Sequence, residues 1–338
     1  MKGDLEQGKG SDPGTGEGRK RKVRTPGEAS FGAVVDRLSS RDWRFLIDLY
    51  LCRCMPISAA IEHYFWKDPS EVFPDYDDSS ESKKRVLDES NLKSAKLRAQ
   101  RRLFDLYAKG VLEKSNTIPD ELDKAPKLRV QVKGETWYYL TSRGLRLVEM
   151  KIGVLEESKL SKLELDMERA KKEHFWELAK VYLELKYKHL EQIGAMQFTD
   201  WDWHPALSIQ GNKDLNIEVR PDAVFRLDEQ VFYVELDRST EPVQRSPFIS
   251  AKDQQVSIEN KLHRYKAVMH HKDAPVIQKN GIIAFIVPEA IYEARLNNIR
   301  AAAKSVFKGF ETQVFVGRSI GDVLTQRFAA SGWGRKDG

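Results

Sequence analysis

Cysteine is nearly absent from this chain of 338 residues, with only Cys52 and Cys54 present. They lie two apart in what reads as an apolar helix, and residues at that spacing on a helix do not face each other. No disulfide is therefore expected, and no pair of motifs has the spacing of a structural zinc site. Sparse, unpaired thiols fit a reducing compartment, so a cytoplasmic protein is expected. Long apolar runs are also missing. None approaches the roughly 20 residues of a membrane span. The polar, Gly-rich start carries no secretory signal. No Gly-rich loop has the pattern that cradles a nucleotide phosphate. These absences exclude a disulfide scaffold, a zinc finger, a helical membrane protein and a P-loop nucleotidase.

What is present is ordinary core-forming content, 41% hydrophobic, with 56 Lys and Arg against 51 Asp and Glu, a net charge of +5. The length predicts two domains plus tails. The charge excess is small, so the distribution of the basic residues carries more information than their number. Residues 1–30 are poor in apolar side chains and read as a disordered basic tail. Within it Arg19-Lys20-Arg21-Lys22 forms an arm suited to phosphates, or equally a solvated tail with no fixed partner.

Residues 31–150 read as one domain. Ser39-Ser40-Arg41-Asp42 is a helix start, and Trp43, Leu46, Ile47, Tyr50 and Leu51 follow at helical spacing. Pro56-Ile57-Ser58 breaks that helix and opens a second. A polar insertion with Asp75, Asp77, Asp78 and Glu81 reads as a mobile loop. A third helix runs from about Asn91 to Lys109, with Leu97, Leu103, Leu106 and Tyr107 as its inner face and Gly110 as its stop. Lys93, Lys96, Arg98, Arg101 and Arg102 decorate it. Val111-Leu112-Glu113 and Trp137-Tyr138-Tyr139-Leu140 read as strands around a basic loop containing Lys124, Lys127, Arg129 and Lys133, and Thr141-Ser142-Arg143-Gly144 opens a closing helix. Three helices, a two-stranded wing and a closing helix predict a winged helix-turn-helix. Its third helix is expected in the major groove of double-stranded DNA, with Lys93, Lys96, Arg98, Arg101, Arg102 and Lys133 as DNA contacts. Such domains also dimerise, so a homodimer is the alternative use.

Residues 151–338 read as a linker helix and a second, α/β domain. Phe175, Leu178, Tyr182 and Leu185 form an apolar stripe that packs on this domain, and Glu177 or Glu184 can add a carboxylate to it. Val219 to Leu227 and Val231 to Arg238 form a hairpin about a polar turn. With a period of two, Glu235 and Asp237 share a face, and Asp222 begins the first strand. Three converging carboxylates suit Mg²⁺ or Mn²⁺, and without a cation they repel. Arg238 and Lys261 are the alternative counter-charges, as structural ion pairs. Trp201, Trp203 and His204 form an aromatic strand that either stacks on bases or, as favoured, packs in the core. His263, His270 and His271 on one helix suggest a metal site, but their spacing lacks acidic or cysteine companions, so surface histidines are the favoured reading.

The order of helix, three strands, helix and strand, with Pro221-Asp222 and Glu235-Leu236-Asp237, resembles the PD-(D/E)xK nuclease-like fold. Asp237 stands at the lysine position, and Lys261 on the following helix is the displaced replacement. The wing junction Tyr-Tyr-Leu-Thr-Ser-Arg-Gly, His174 at a helix start, the run Glu235 to Glu241, and Lys261 with Tyr265 together resemble the replication-relaxation family of plasmid and mobile-element proteins. The resemblance implies an α+β chain acting in DNA replication and relaxation. It implies Asp222, Glu235 and Lys261 as catalytic residues and Asp222, Glu235 and Asp237 as metal ligands. Replication or mobilisation proteins are the expected partners, and no membrane. A non-catalytic scaffold that binds DNA or protein is the competing expectation.

Overall fold

The computed structural model describes residues 31–66, 81–116, 135–154, 163–164, 168, 171–189, 198–203, 207–208, 217–238, 241–244, 257–288 and 293–330. The basic tail, Asp75 to Asp78, the basic loop with Lys124 to Lys133, and His204 lie outside these residues.

The N-terminal module begins with α1 (Phe31–Val35) and α2 (Ser40–Cys52). Ser39 caps α2 in a reciprocal box: its hydroxyl accepts from the Asp42 N–H, and the Asp42 carboxylate accepts from the Ser39 N–H. Arg53, at φ 64°, ends the helix. Strand β1 (Cys54–Pro56) follows, so Cys54 stands in a strand and not in the expected helix. Pro56 is tolerated there because β1 is an edge strand. Next come α3 (Ile57–Ala60), whose end widens into a π-turn at Ile61–Phe65, and the long α4 (Glu81–Ala108). Helix α4 starts ten residues before its expected start, so Glu81 is helical and not in a loop. Gly110, at φ 67°, provides its stop. Strands β2 (Leu112–Asn116) and β3 (Thr136–Leu140) lead to α5 (Ser142–Ile152). The sheet is antiparallel in the order β1-β3-β2. It therefore has three strands where the sequence showed two.

The second module starts with α6 (Lys172–Glu184), which also passes into a π-turn, Leu185–His189. Strands β4 (Phe198–Trp203), β5 (Leu207–Ser208), β6 (Glu218–Val219), β7 (Ala223–Leu227) and β8 (Gln230–Leu236) follow. Then come α7 (Ile258–Met269), the short α8 (Val276–Lys279), β9 (Ile282–Ile286), α9 (Glu293–Val306), β10 (Val314–Gly317) and α10 (Ile320–Ala330). The main sheet runs β10-β9-β8-β7-β4, parallel from β10 to β8 and antiparallel from β8 to β4. The chain is α+β as expected.

Helices cover both faces of that sheet. On one face Val231 and Tyr233 of β8 pack with Leu262, Tyr265 and Val268 of α7 and Ile299 of α9. On the other, Phe232, Val234 and Leu236 join a core shared with α6, α10 and the N-terminal module. The strand's period of two thus feeds two cores. Trp176 on α6 stacks on Trp137 of β3 at 4.6 Å and donates from its indole N–H to the Tyr139 hydroxyl at 2.6 Å. Trp203 donates to the Leu51 carbonyl at 2.6 Å. Trp201 is buried, so the tryptophan pair is core, as the sequence implied. Helix α6 therefore packs on both modules, and not on the second alone.

A buried acid completes this junction. Asp48 on α2 is 1% exposed. It accepts from the hydroxyls of Tyr64 (2.5 Å), Tyr187 (2.8 Å) and Tyr182 (2.9 Å) and from the Lys186 ammonium. Tyr64, Lys186 and Tyr187 come from the two π-turns. Burial first, and the Asp48 charge second, push the Tyr64, Tyr182 and Tyr187 hydroxyls above their ordinary range. All three stay protonated donors.

Candidate functional site

The acidic site is built by the β7–β8 hairpin. Leu227 pairs with Gln230 across a turn in which Asp228 takes φ 48°, and Ala223 pairs with Val234. One step further along that register, Asp222 lies opposite Glu235. The Asp222 N–H donates to the Val234 carbonyl at 2.9 Å, and the Leu236 N–H donates to the Asp222 carboxylate at 2.8 Å. The hairpin thus holds one acid by backbone bonds against the next strand's acid.

Helix α7 reaches this pair from the sheet face that Glu235 shares with Tyr233. Ser257 caps α7. Lys261 and Tyr265 are four apart and so share a helix face. The Lys261 ammonium and the Tyr265 hydroxyl (2.5 Å) each donate to a different Glu235 oxygen. From the other side His174, in the first turn of α6, places Nε2 3.2 Å from Asp222. Asp222, Glu235 and Lys261, the three expected catalytic residues, are therefore brought together. His174 and Tyr265 join them.

Electrostatics divide the two acids. Burial and the neighbouring Asp222 charge outweigh the Lys261 and Tyr265 contacts on Glu235, whose carboxyl is pushed up to about 8. Glu235 is 2% exposed, which accounts for the size of the burial effect. Burial also opposes Asp222 ionisation. There, however, the His174 hydrogen bond and charge, the Lys261 charge and the Leu236 N–H prevail, so Asp222 lies below its ordinary value. Burial lowers Lys261, but the charges of Glu235 and Asp222 hold it above its ordinary value. One ionised acid beside one acid that titrates near neutrality is the arrangement of a site able to exchange a proton.

Asp237, the third expected metal ligand, is placed otherwise. Arg295 at the start of α9 grips it with two bonds of 2.6 Å and also donates to the Glu241 carbonyl at 2.7 Å. A bidentate guanidinium uses both carboxylate oxygens. Arg295 is thus a cation of the acidic cluster that no sequence motif marked. Glu177 pairs with Lys180 at 2.6 Å. Among the described residues no group of three or more His, Cys, Asp or Glu side chains is arranged to hold a metal ion. Two carboxylates remain, and Mg²⁺ characteristically binds to one or two carboxylates together with substrate phosphate. The Asp222–Glu235 pair fits that mode when Lys261 or Tyr265 gives up a Glu235 oxygen, whereas the three-carboxylate set does not assemble among the described residues.

The second candidate surface is α4. Lys93, Lys96 and Arg101 are exposed. Arg102 instead donates to Asp42 (2.8 Å), Asp105 (2.7 Å) and the Arg37 carbonyl (2.8 Å), and Arg98 donates to the Phe65 carbonyl at 3.0 Å. Two of the five helix cations are thus engaged within the fold, and Lys133 lies outside the described residues. Leu97, expected on the inner face, is 52% exposed, whereas Leu103 and Leu106 are buried. Helical period explains this: Ala95, Ala99, Leu103 and Leu106 make the buried stripe, and Leu97 falls opposite it.

The fold and site define an α+β protein of two modules, joined through one core, with a carboxylate–lysine centre on a mixed sheet. The chain belongs to the replication-relaxation family, whose sequence profile matches residues 73–283. That span takes in α4, the central strands of the three- and five-stranded sheets, the acidic hairpin and Lys261. Searches of curated proteins and of solved structures gave no match. No helix among the described residues is long and apolar enough to cross a membrane.

Proposed function

We propose that this protein is a DNA-binding factor of a plasmid or other mobile element, acting in replication or relaxation by cutting one DNA strand. In this reading the N-terminal module is a winged helix. Its element order and its β1-β3-β2 sheet support that, as do the exposed Lys93, Lys96 and Arg101 on α4. The second module is nuclease-like, with helix, antiparallel strands, helix and parallel strand around Asp222, Glu235 and Lys261.

The observation that carries the reading is Lys261 seated on Glu235 beside Asp222, contributed by a different element. The lysine absent from the strand motif is supplied in space by α7. The residues' roles follow from their chemistry. Lys261 offers a fixed positive charge to a phosphodiester whose negative charge grows in the transition state. Glu235 gives up its proton on cation binding and serves as a carboxylate ligand, and the proton of the attacking water passes to solvent. The water oxygen forms the new bond to phosphorus as the bond to the leaving sugar oxygen breaks. That oxygen is protonated from solvent. His174 and the Leu236 N–H orient Asp222. Asp222 and Glu235 would hold Mg²⁺ or Mn²⁺, which supplies Lewis acidity toward the phosphate oxygens.

The test is conversion of supercoiled plasmid to nicked circles with Mg²⁺ or Mn²⁺. Asp222→Ala, Glu235→Ala and Lys261→Ala should each abolish nicking while duplex binding persists. A second reading, a scaffold without catalysis, draws on the fact that Glu235 and Asp237 already have protein partners on both oxygens. Normal duplex binding with no nicking under either cation would establish it.

A further inference from the structure

At the C-terminal end of α4 a cavity of about 190 Å³ opens between the helix and the small sheet. Gln100, Leu103, Phe104 and Tyr107 of α4 line it together with Lys114 of β2 and Tyr138 of β3. Lys114 and Tyr138 are cross-strand partners, so the register places them side by side. The Lys114 ammonium lies 5.0 Å from the Tyr107 ring centroid. Phe104 is 64% exposed at the rim.

Three features identify an occupant. The size comes first: a cavity of roughly 150 Å³ holds a benzene molecule, so this one has room for a pyrimidine ring. The walls are aromatic, with exposed Phe104 at the rim, buried Tyr138 behind it and Tyr107 beneath the Lys114 ammonium, while Lys114 and Gln100 supply polar groups for a base edge or phosphate. Finally, the cavity continues the outer stripe of α4. Lys93, Leu97, Gln100, Phe104 and Tyr107 recur at helical spacing, with Lys96 and Arg101 beside them, so DNA lying along the cations ends at the aromatic mouth.

We propose that this cavity captures one unpaired pyrimidine base of DNA bound along α4. The inference rests on the reading of α4 as a DNA-binding helix. It goes beyond that reading because a base inside a duplex has both faces stacked on its neighbours and cannot enter. Only a base released from the stack presents a face to Phe104. Strand separation during replication or relaxation produces such bases.

The experiment compares a fully paired duplex with the same duplex carrying a single unpaired thymine, by fluorescence anisotropy with the full-length protein. Wild type should bind the bulged duplex about tenfold more tightly, the size expected for one base stacked on aromatic side chains. Phe104→Ala, at an exposed position, should remove that preference while binding the paired duplex as wild type does. Phe104→Trp should restore it. Equal wild-type affinity for the two duplexes would overturn the inference and leave the DNA-binding reading intact. Loss of paired and bulged binding alike in Phe104→Ala would make Phe104 an ordinary duplex contact and also overturn it. Failure of wild type to bind even the paired duplex would overturn the DNA-binding reading, and the inference with it.

Discussion

Arg102 and Arg101 are neighbours in sequence and opposites in use. Arg102 ties the Asp42 cap of α2 to α4, whereas Arg101 is exposed. Arg102→Ala should therefore act on stability: it removes the shorter of the two arginine contacts of a buried carboxylate, leaving Arg41 and Ser39, at a cost of about 2 kcal/mol, read as a fall in urea midpoint. Lys93→Ala, Lys96→Ala and Arg101→Ala combined should leave that midpoint unchanged. They should weaken duplex binding and flatten the plot of log affinity against log salt by about 3, one released counterion per lost phosphate contact. An unchanged salt slope would remove α4 as the DNA-facing helix. The acidic site has a pH signature of its own. The folded Glu235 carboxyl keeps its proton up to about pH 8, against an ordinary value of 4.5. Its contribution to stability is accordingly full below pH 4.5 and is lost as pH rises through 8. Cation binding needs the carboxylate and expels that proton. Mn²⁺ affinity measured by calorimetry should then rise with pH between 6 and 8 and level off above it. A flat profile would show that Glu235 is not a ligand.

At the scale of elements, the turn from α4 into β2 and the start of α5 interlock. Thr141 caps α5 by accepting from the Gly144 N–H at 3.0 Å, and its hydroxyl donates to the Gly110 carbonyl at 2.6 Å. A Cβ at Gly144 would meet the Val111 carbonyl oxygen at 2.2 Å, a backbone atom with no rotamer to move. Gly144→Ala should therefore push α5 off the sheet and cost on the order of 2 kcal/mol, as overpacking does. Thermal unfolding would register it. A variant as stable as wild type would mean that the α4–β2 turn yields easily. The glycine was readable in the sequence as part of a helix start, but its packing role was not. That role depends on Val111, brought there by a sheet pairing more than thirty residues away.

The whole molecule is held by Asp48 and the core around α6. The modules share one apolar cluster running from Val34 to Leu324, so denaturant should unfold them in a single transition. Asp48→Ala removes the common acceptor of three tyrosines and Lys186. It should cost about 3 kcal/mol and lower Tm by on the order of 6 °C, with both modules affected together. Two separate transitions in the wild type would contradict a shared core.

The sequence by itself determined most of the local structure and the identity of the catalytic candidates. Alternation along Val231–Leu236, the caps at Ser39 and Thr141, the stop at Gly110 and the acids Asp222 and Glu235 are properties of short segments, and short-range sterics and hydrogen bonds decide them. Tertiary structure alone decided which charges meet. Lys261 reaches Glu235 because α7 crosses over the sheet. Arg295 claims Asp237 because α9 forms the second crossover, between β9 and β10. Arg102 turns inward because α2 packs on α4. Each of these pairs joins residues 26 to 60 positions apart. A charge seeks the nearest opposite charge in space when water is excluded, and distance in space is set by packing, not by spacing along the chain.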